Sequence, residues 1–294
     1  MLYDAIEVMT PFLLAALGGL FTEIAGVLNI ALEGLMLTGA FAAFAAASWT
    51  GSSFLAYTMA ALASCLLAML FAFVSLRLKA NIFIAGLATN LAALGLLPFF
   101  SEFLFGSKGI LRLEGESMLL KIAPGTEEAI PILGPLLFGH SLLTYFALAS
   151  VPLTLFILNR TVFGLRLKAL GLNEEMLRLR GISKDRYRLI AILISGLACG
   201  IAGAQLSLRI GAYVPNISSG RGWIALVAVY LGFKHPYGIL AAAFLFGLSE
   251  TLTGAIQALV DSPGAGTLLW SLPYAITATA LIIFTAVRRV KNRT

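Results

Sequence analysis

From Ser53 to Leu78 the chain meets no charged side chain before Arg77. At 1.5 Å per helical residue, such a run crosses the roughly 30 Å of hydrocarbon in a bilayer. A soluble core has no need of a run like this. Comparable runs follow at Ile82–Phe105, Ser141–Asn159, Leu189–Leu208, Ile239–Val260 and Thr267–Val287. Three weaker ones remain. Pro11–Phe21 and Leu35–Trp49 are short and separated by "TEIAGVLNIALEG", and Gly222–Phe233 ends at "KHPYG". With 60% hydrophobic and 12% charged residues over 294 positions, the composition lies far outside the soluble range. The expected fold is an all-α polytopic bundle of eight or nine spans, a single domain over 1–294.

The formal net charge of +6 does not indicate nucleic acid, because the Lys and Arg stand between apolar runs rather than on one polar face. They act instead as topology signals. Arg77 and Lys79, the segment from Arg160 to Arg188, and the terminal Arg288, Arg289, Lys291 and Arg293 belong on the cytoplasmic side. The loop over about 106–139 balances Lys108, Arg112 and Lys121 against Glu114, Glu116, Glu127 and Glu128, so it belongs outside. If all nine runs cross, the N-terminus is outside and the C-terminus inside. The opening "MLYDAIEVMTPF" carries Asp4 and Glu7 where a cleaved leader would be basic, so no signal peptide is expected. Cys65 and Cys199 each lie inside an apolar run, which argues against a disulfide framework.

One stretch is out of keeping with the rest. Between Arg160 and Arg188 stand eight of the chain's 20 Lys and Arg, opposed only by Glu174, Glu175 and Asp185. Within it, Asn173 can cap a short helix with Glu174 and Glu175 in its first turn and Arg178 and Arg180 in its last, stopped by Gly181. Glu174 and Arg178 are spaced to pair at i,i+4, while Leu172, Met176 and Leu179 share an apolar side. Two turns are marginal alone in water, so the helix needs something to lie against. The segment is either a loop that only sets topology or a docking helix for a cytoplasmic partner. Its caps and apolar stripe favour docking.

Two interrupted regions, "EIAGVLNIALEG" and "SSGRGWIALVAVYLGFKHPYG", occupy corresponding places in the two halves, which points to internal repeats and a transport pathway. Gly18, Gly19, Gly26, Gly34 and Gly39 serve equally well as small packing residues between helices.

Here the sequence resembles a known family. "GLRLKALGLNEEMLRLRGISKDRYRLIAILISGLACGIAGAQL" is similar to the cytoplasmic loop and next span of bacterial ABC-importer permeases of the branched family that serves simple sugars and nucleosides. "AGVLNIALEGLMLTGAFAAF" resembles the early signature of its nucleoside branch, carried here by Asn29, Glu33 and Gly34, and "GRGWIALVAVYLGFKHPYGILAAAFLFG" resembles the late one. The similarity runs from about Ala16 to Gly247. Where the family's docking helix carries small residues after its Glu, this chain has Met176 and Leu177. The resemblance implies a permease in the bacterial cytoplasmic (inner) membrane, pairing with a second permease subunit in a homo- or heterodimer. It also implies ATP-binding subunits and an extracytoplasmic substrate-binding protein or lipoprotein. No G-x-x-x-x-G-K-[ST] loop occurs, so ATP and Mg belong to the partner subunits, with no cofactor and no catalytic residue expected in this one.

Other chemistry is thin. His140 and His235 flank spans without carboxylate or thiol at ligand spacing, so they read as interfacial residues rather than metal ligands. Ser195, Ser207, Ser218 and Ser219 have no histidine near in sequence to activate them. Trp49, Trp223 and Trp270 sit near span ends as interface anchors. Polar residues inside spans say more, since lipid penalises them. Gln205 reads as an interhelical hydrogen-bonding residue. Asn90, beside Thr89, and Glu250 are candidates to line the pathway; Arg209 and Arg221 are expected at the outer surface, which argues against a buried pair with Glu250. Rings such as Phe99, Phe100, Tyr213 and Trp223 suit a flat heterocycle. A nucleoside is the expected cargo, with riboflavin or a simple sugar as alternatives. A stand-alone secondary transporter would need Glu250 as its titrating group.

Overall fold

A computed structural model describes residues 1–113, 138–259 and Thr279. Among these, seven helices are long and apolar enough to cross a membrane. In hydrocarbon the backbone must satisfy its own hydrogen bonds, which is why apolar runs of this length become helices. The order is α1 (Leu2–Ile24), α2 (Leu32–Thr50), α3 (Ser53–Ala72, continued by one π turn over Phe73–Arg77), α4 (Ile82–Phe105), β1 (Leu111–Arg112), α5 (Leu142–Arg160), α6 (Val162–Leu172), α7 (Glu174–Leu179), α8 (Lys184–Ile210), β2 (Ala212–Tyr213), α9 (Arg221–Leu231) and α10 (Pro236–Leu259).

The core is built around α1, buried along nearly its whole length and packed against α8, α10, α9 and α5. The short apolar run seen at Pro11–Phe21 therefore extends to a full span. What hides it in the sequence is Glu7, whose carboxylate is buried but fully engaged. Its Oε1 accepts from the Ser141 backbone N–H (2.7 Å) and the Thr144 hydroxyl (3.1 Å), and His140 lies 3.4 Å away. Its Oε2 accepts from Gln205 Nε2 (3.3 Å), whose own Oε1 accepts from the Tyr57 hydroxyl (3.0 Å). One buried carboxylate thus ties α1 to the start of α5, and through Gln205 to α8 and α3. His140, expected at an interface, is completely buried here.

Small residues let α2, α3 and α8 meet backbone to backbone. A Cβ on Gly203 would stand 2.0 Å from the Met36 carbonyl oxygen, and one on Gly39 2.4 Å from that of Gly200. This is the close packing that helices in lipid use in place of a hydrophobic driving force. Gly18, Gly39, Gly196, Gly200 and Gly203 all serve it.

The two ends of the bundle differ in charge. Arg77, Lys79, Arg160, Arg166, Lys168, Arg178, Lys184, Arg186, Arg188 and Lys234 gather at the end where α1 finishes and α8 begins. That end is cytoplasmic by the excess of cations. The opposite end holds the N-terminus, His140 and a two-residue antiparallel ribbon that pairs Leu111 with Tyr213 and Arg112 with Ala212. After β2 the chain turns back into the bundle, and α9 descends to the cytoplasmic end, where Tyr230 and Lys234 both bond Glu23. The short Gly222–Phe233 run is thus half of a crossing; an irregular segment completes it. Thr267–Val287, Trp270, the terminal cations and most of the 106–139 loop lie outside the described residues.

Candidate functional site

The first interruption lies between α1 and α2. Gly26 turns the chain with φ +72°. Asn29 then holds the restart: its Oδ1 accepts from the Ala31 N–H (3.0 Å), while its Nδ2 donates to Ser195 Oγ on α8 (3.0 Å). Asn90, on α4, completes the clamp. Its Oδ1 accepts from the Gly34 N–H (2.8 Å), and its Nδ2 donates to the Ile30 carbonyl (2.9 Å). The open N–H and C=O groups at a break inside a membrane helix must be satisfied, and one amide side chain does both. Thr89, beside it, bonds within its own helix to the Ala85 carbonyl and presses its backbone against Gly34.

The second interruption runs over 214–220. Asn216 and Ser219 adopt positive φ (57° and 44°) without being glycine, followed by Gly220 at 86°. Backbone strain of this kind persists only where surrounding contacts enforce it. Those contacts come from the first interruption. Glu33 Oε1 accepts from the Ser218 hydroxyl and from the Gly220 N–H (2.8 Å), and Oε2 accepts from the Gly222 N–H (2.7 Å). A carboxylate on the first turn of α2 therefore sits at the positive end of α9, where anions are stabilised. The approach is close enough that a Cβ on Gly222 would lie 2.5 Å from Glu33 Cα.

Arg221 opens α9 and reaches back to the Ile217 and Ser218 carbonyls (2.9 and 3.3 Å), while its other terminal nitrogen pairs with Glu250 on α10. The expectation that Arg221 stands at the outer surface, unable to pair, is corrected. Because 214–220 folds inward, Arg221 starts its helix at the depth of Glu250. Trp223 is half-exposed, and Asn216 and Ser219 are exposed beside it, on the same inward fold. Phe99 is also exposed, but its ring neighbours are Phe100 and Phe103 on α4. So Asn29, Glu33, Gly34, Asn90 and Thr89 form one junction with Ser218–Gly222, joined by Glu250 and Trp223, while Phe99 stands apart. Ser218 and Gly222 fall within the second interrupted region marked by the sequence, but their individual roles follow only from facing Glu33.

At the cytoplasmic end, α7 forms as its caps dictate. Asn173 Oδ1 accepts from the Glu175 N–H (3.1 Å), and Gly181 closes the turn at φ +70°. The expected Glu174–Arg178 pair does not form. Arg178 bonds Glu175 (2.5 Å), and Glu174 instead turns to Lys184 (2.7 Å) and Arg188 (2.9 Å) at the start of α8. Two cations on one side outcompete a single cation one turn away. The hydrogen bond from Lys184, with the Arg188 charge, holds the Glu174 carboxyl below its ordinary value. Leu177 is buried, whereas Leu172 and Leu179 are 88% and 80% exposed, an apolar pair on a water-facing surface flanked by Arg178 and Arg180.

A many-span bundle with paired interruptions and a cationic helix at its cytoplasmic end defines a multi-pass membrane permease. Residues 1–287 match the family described as branched-chain amino acid transport system / permease component, and the chain belongs to that family. It is a permease of the ABC-transporter type, in the cytoplasmic membrane. It is 35% identical over 262 residues to TsgC13 of Haloferax volcanii, provisionally a glucose ABC transporter permease, covering 88% of this chain and 78% of that one. It is 34% identical over 290 residues to the guanosine ABC transporter permease NupQ of Bacillus subtilis (93% and 88%). To the nucleoside ABC transporter permease NupC of Lactococcus lactis it is 29% identical over 286 residues (94% and 89%). Among solved structures, an inward-facing ABC transporter, provisionally of metal-chelate type, superposes with a TM-score of 0.52 at 16% identity, covering 94% of this chain and 84% of that one; it shares the fold.

Proposed function

We propose that this chain forms the translocation path of a nucleoside importer, in the manner of its guanosine- and nucleoside-named relatives. What supports the proposal is the junction of the two interruptions at Glu33, with turn backbone, hydroxyls and a tryptophan beside it, on a chain similar over nearly its whole length to those relatives. A nucleoside offers ribose hydroxyls and a flat heterocycle. Asn216 and Ser219 suit the first and Trp223 the second, while Arg221 and Glu250 set the polarity of the cavity between them. Asn90 and Thr89 act on the path by holding its frame, and Phe99 belongs to its outer approach. A second permease subunit, identical or not, covers this exposed polar face, because such groups are costly against lipid.

The ATP-binding subunits, which carry ATP and Mg, dock on α7 and its two flanks through Leu172, Leu179, Arg178 and Arg180. This chain is no enzyme itself. An extracytoplasmic binding protein or lipoprotein delivers the cargo to the end that holds the β1–β2 ribbon. A simple sugar is the second reading, favoured by the similarity to the Haloferax volcanii protein.

The test is uptake by the complete transporter in proteoliposomes. Labelled guanosine should accumulate saturably and only with ATP, and Leu179→Asp should reduce that uptake at least tenfold. Uptake of glucose without uptake of guanosine would replace the nucleoside reading with the sugar one.

A further inference from the structure

The cytoplasmic end of the first interruption is also where α6, α7 and α8 converge. Helix α1 ends at Ile24, capped by Ala25, with no basic residue in its own last turn. Its open carbonyls therefore depend on a neighbouring helix for the cation that usually complements a helix C-terminus, since Lys234 is engaged by the Glu23 side chain. Arg188, from the first turns of α8, supplies it: Nε donates to the Ala25 carbonyl oxygen at 3.5 Å. The same guanidinium donates through Nη2 to Glu174 Oε2 at 2.9 Å. Glu174 is the first residue of α7. One planar, five-donor group thus spans from the docking helix to the last carbonyl before the break, a geometry that suits Arg better than Lys.

A second contact joins the same two places. Gly171, at the end of α6, lies so close to the end of α1 that a Cβ there would stand 2.1 Å from the Ile24 carbonyl oxygen and 3.6 Å from the Gly26 nitrogen. The segment leading into α7 therefore touches the interruption backbone to backbone. Beyond the break, Asn29, Asn90 and Glu33 pass its position on to α8, α4 and α9.

We infer that Arg188 is a positioning residue that fastens α7 to the Ala25–Ala31 interruption, so that a displacement of the docking helix moves the break directly and not by tilting whole spans. The inference rests on α7 being the dock for the ATP-binding subunits. It assigns Glu174 inward, as the strut's cytoplasmic foot, and leaves the outward contact to Leu172, Leu179, Arg178 and Arg180.

Hydrogen exchange on the complete transporter, with and without vanadate-trapped nucleotide, tests it without any transported substrate. In the wild type, trapping should change exchange both in α7 and at the Gly26, Val27 and Ala31 amides. In Arg188→Met the α7 response should persist, while the response at the interruption falls at least threefold. The double variant Glu174→Arg with Arg188→Glu restores an ion pair but offers no donor to the Ala25 carbonyl, and it should stay uncoupled. Arg188→Lys, which keeps charge and donor, should recover part of the response. An unchanged response at the interruption in Arg188→Met would sink the strut, as would full recovery by the charge swap. Loss of the α7 response in Arg188→Met would show that Arg188 merely builds the dock. No α7 response in the wild type would overturn the docking reading itself, and the strut with it.

Discussion

Glu33 shows how a single side chain makes two distant parts of the chain into one site. Its two oxygens accept three donors from Ser218, Gly220 and Gly222, and a neutral amide in its place would leave one of them unmet. Hydrogen bonds to a charged group contribute about 1.5–3 kcal/mol each, and a buried donor left unpaired costs a similar amount. In Glu33→Gln the amide nitrogen must face at least one N–H or O–H donor. The variant should lose about 2 kcal/mol, read as a lower unfolding temperature of the purified protein in detergent. Glu33→Gln with wild-type thermal stability would remove the carboxylate from its role at α9. Glu33 and Asn29 stand out in the sequence as polar residues in an apolar stretch. The partners of Glu33 do not, because a serine and two glycines next to an arginine are ordinary loop composition until a carboxylate is found opposite them.

Among the helices, the decisive quantity is how closely α2 and α8 approach. Gly203 is pressed against the backbone of Met36 and Ala40, so a larger side chain must push the two helices apart. Overpacking of this kind costs about 1–3 kcal/mol. Gly95, on α4, is an internal control, since an added Cβ there meets nothing within 4 Å. Gly203→Val should lower the thermal midpoint, whereas Gly95→Ala should hold or raise it, through a stability gain of up to about 1 kcal/mol, because Ala is the better helix former. Equal effects at both sites would mean that helix propensity and not interhelical contact sets the outcome. Element existence was legible from hydropathy: Ile82–Phe105 has the same ends in both descriptions, and Ser53–Leu78 differs by one residue. The shortfalls are α1 and α2: α2 runs over Leu32–Thr50 where the apolar run covers only Leu35–Trp49, and in α1 Asp4 and Glu7 break the run. Hydropathy charges a carboxylate its full transfer cost, but in the fold Glu7 regains hydrogen bonds from Ser141, Thr144 and Gln205.

For the whole molecule, the charge asymmetry and the path of the chain agree on one orientation. A cysteine at Gly109, in a background lacking Cys65 and Cys199, should react with an impermeant thiol reagent in intact cells. A cysteine at Ser183, exposed at the start of α8, should react only after permeabilisation. The reverse pattern would invert the topology, and with it the assignment of α7 to the cytoplasm.

By itself the sequence determined the solvent, the class of fold and the capped helix at Asn173–Gly181, and its cations carry the expected sidedness. All of these depend on local composition: apolar length, cation placement, and cap residues within a turn of one another. Only the tertiary structure decided which polar groups meet. Arg221 was read as a surface cation and became the partner of Glu250, because the segment before it folds inward. Glu174 was matched to Arg178 by spacing along one helix, and bonds Lys184 and Arg188 because the next helix returns beside it. The sequence offers Asn90 as a candidate to line the pathway, but its amide is engaged by the Gly34 N–H of α2 and the Ile30 carbonyl of the first interruption. A side chain's local spacing limits what it can reach, but the energy of a buried polar group is set by the partner that the fold brings to it.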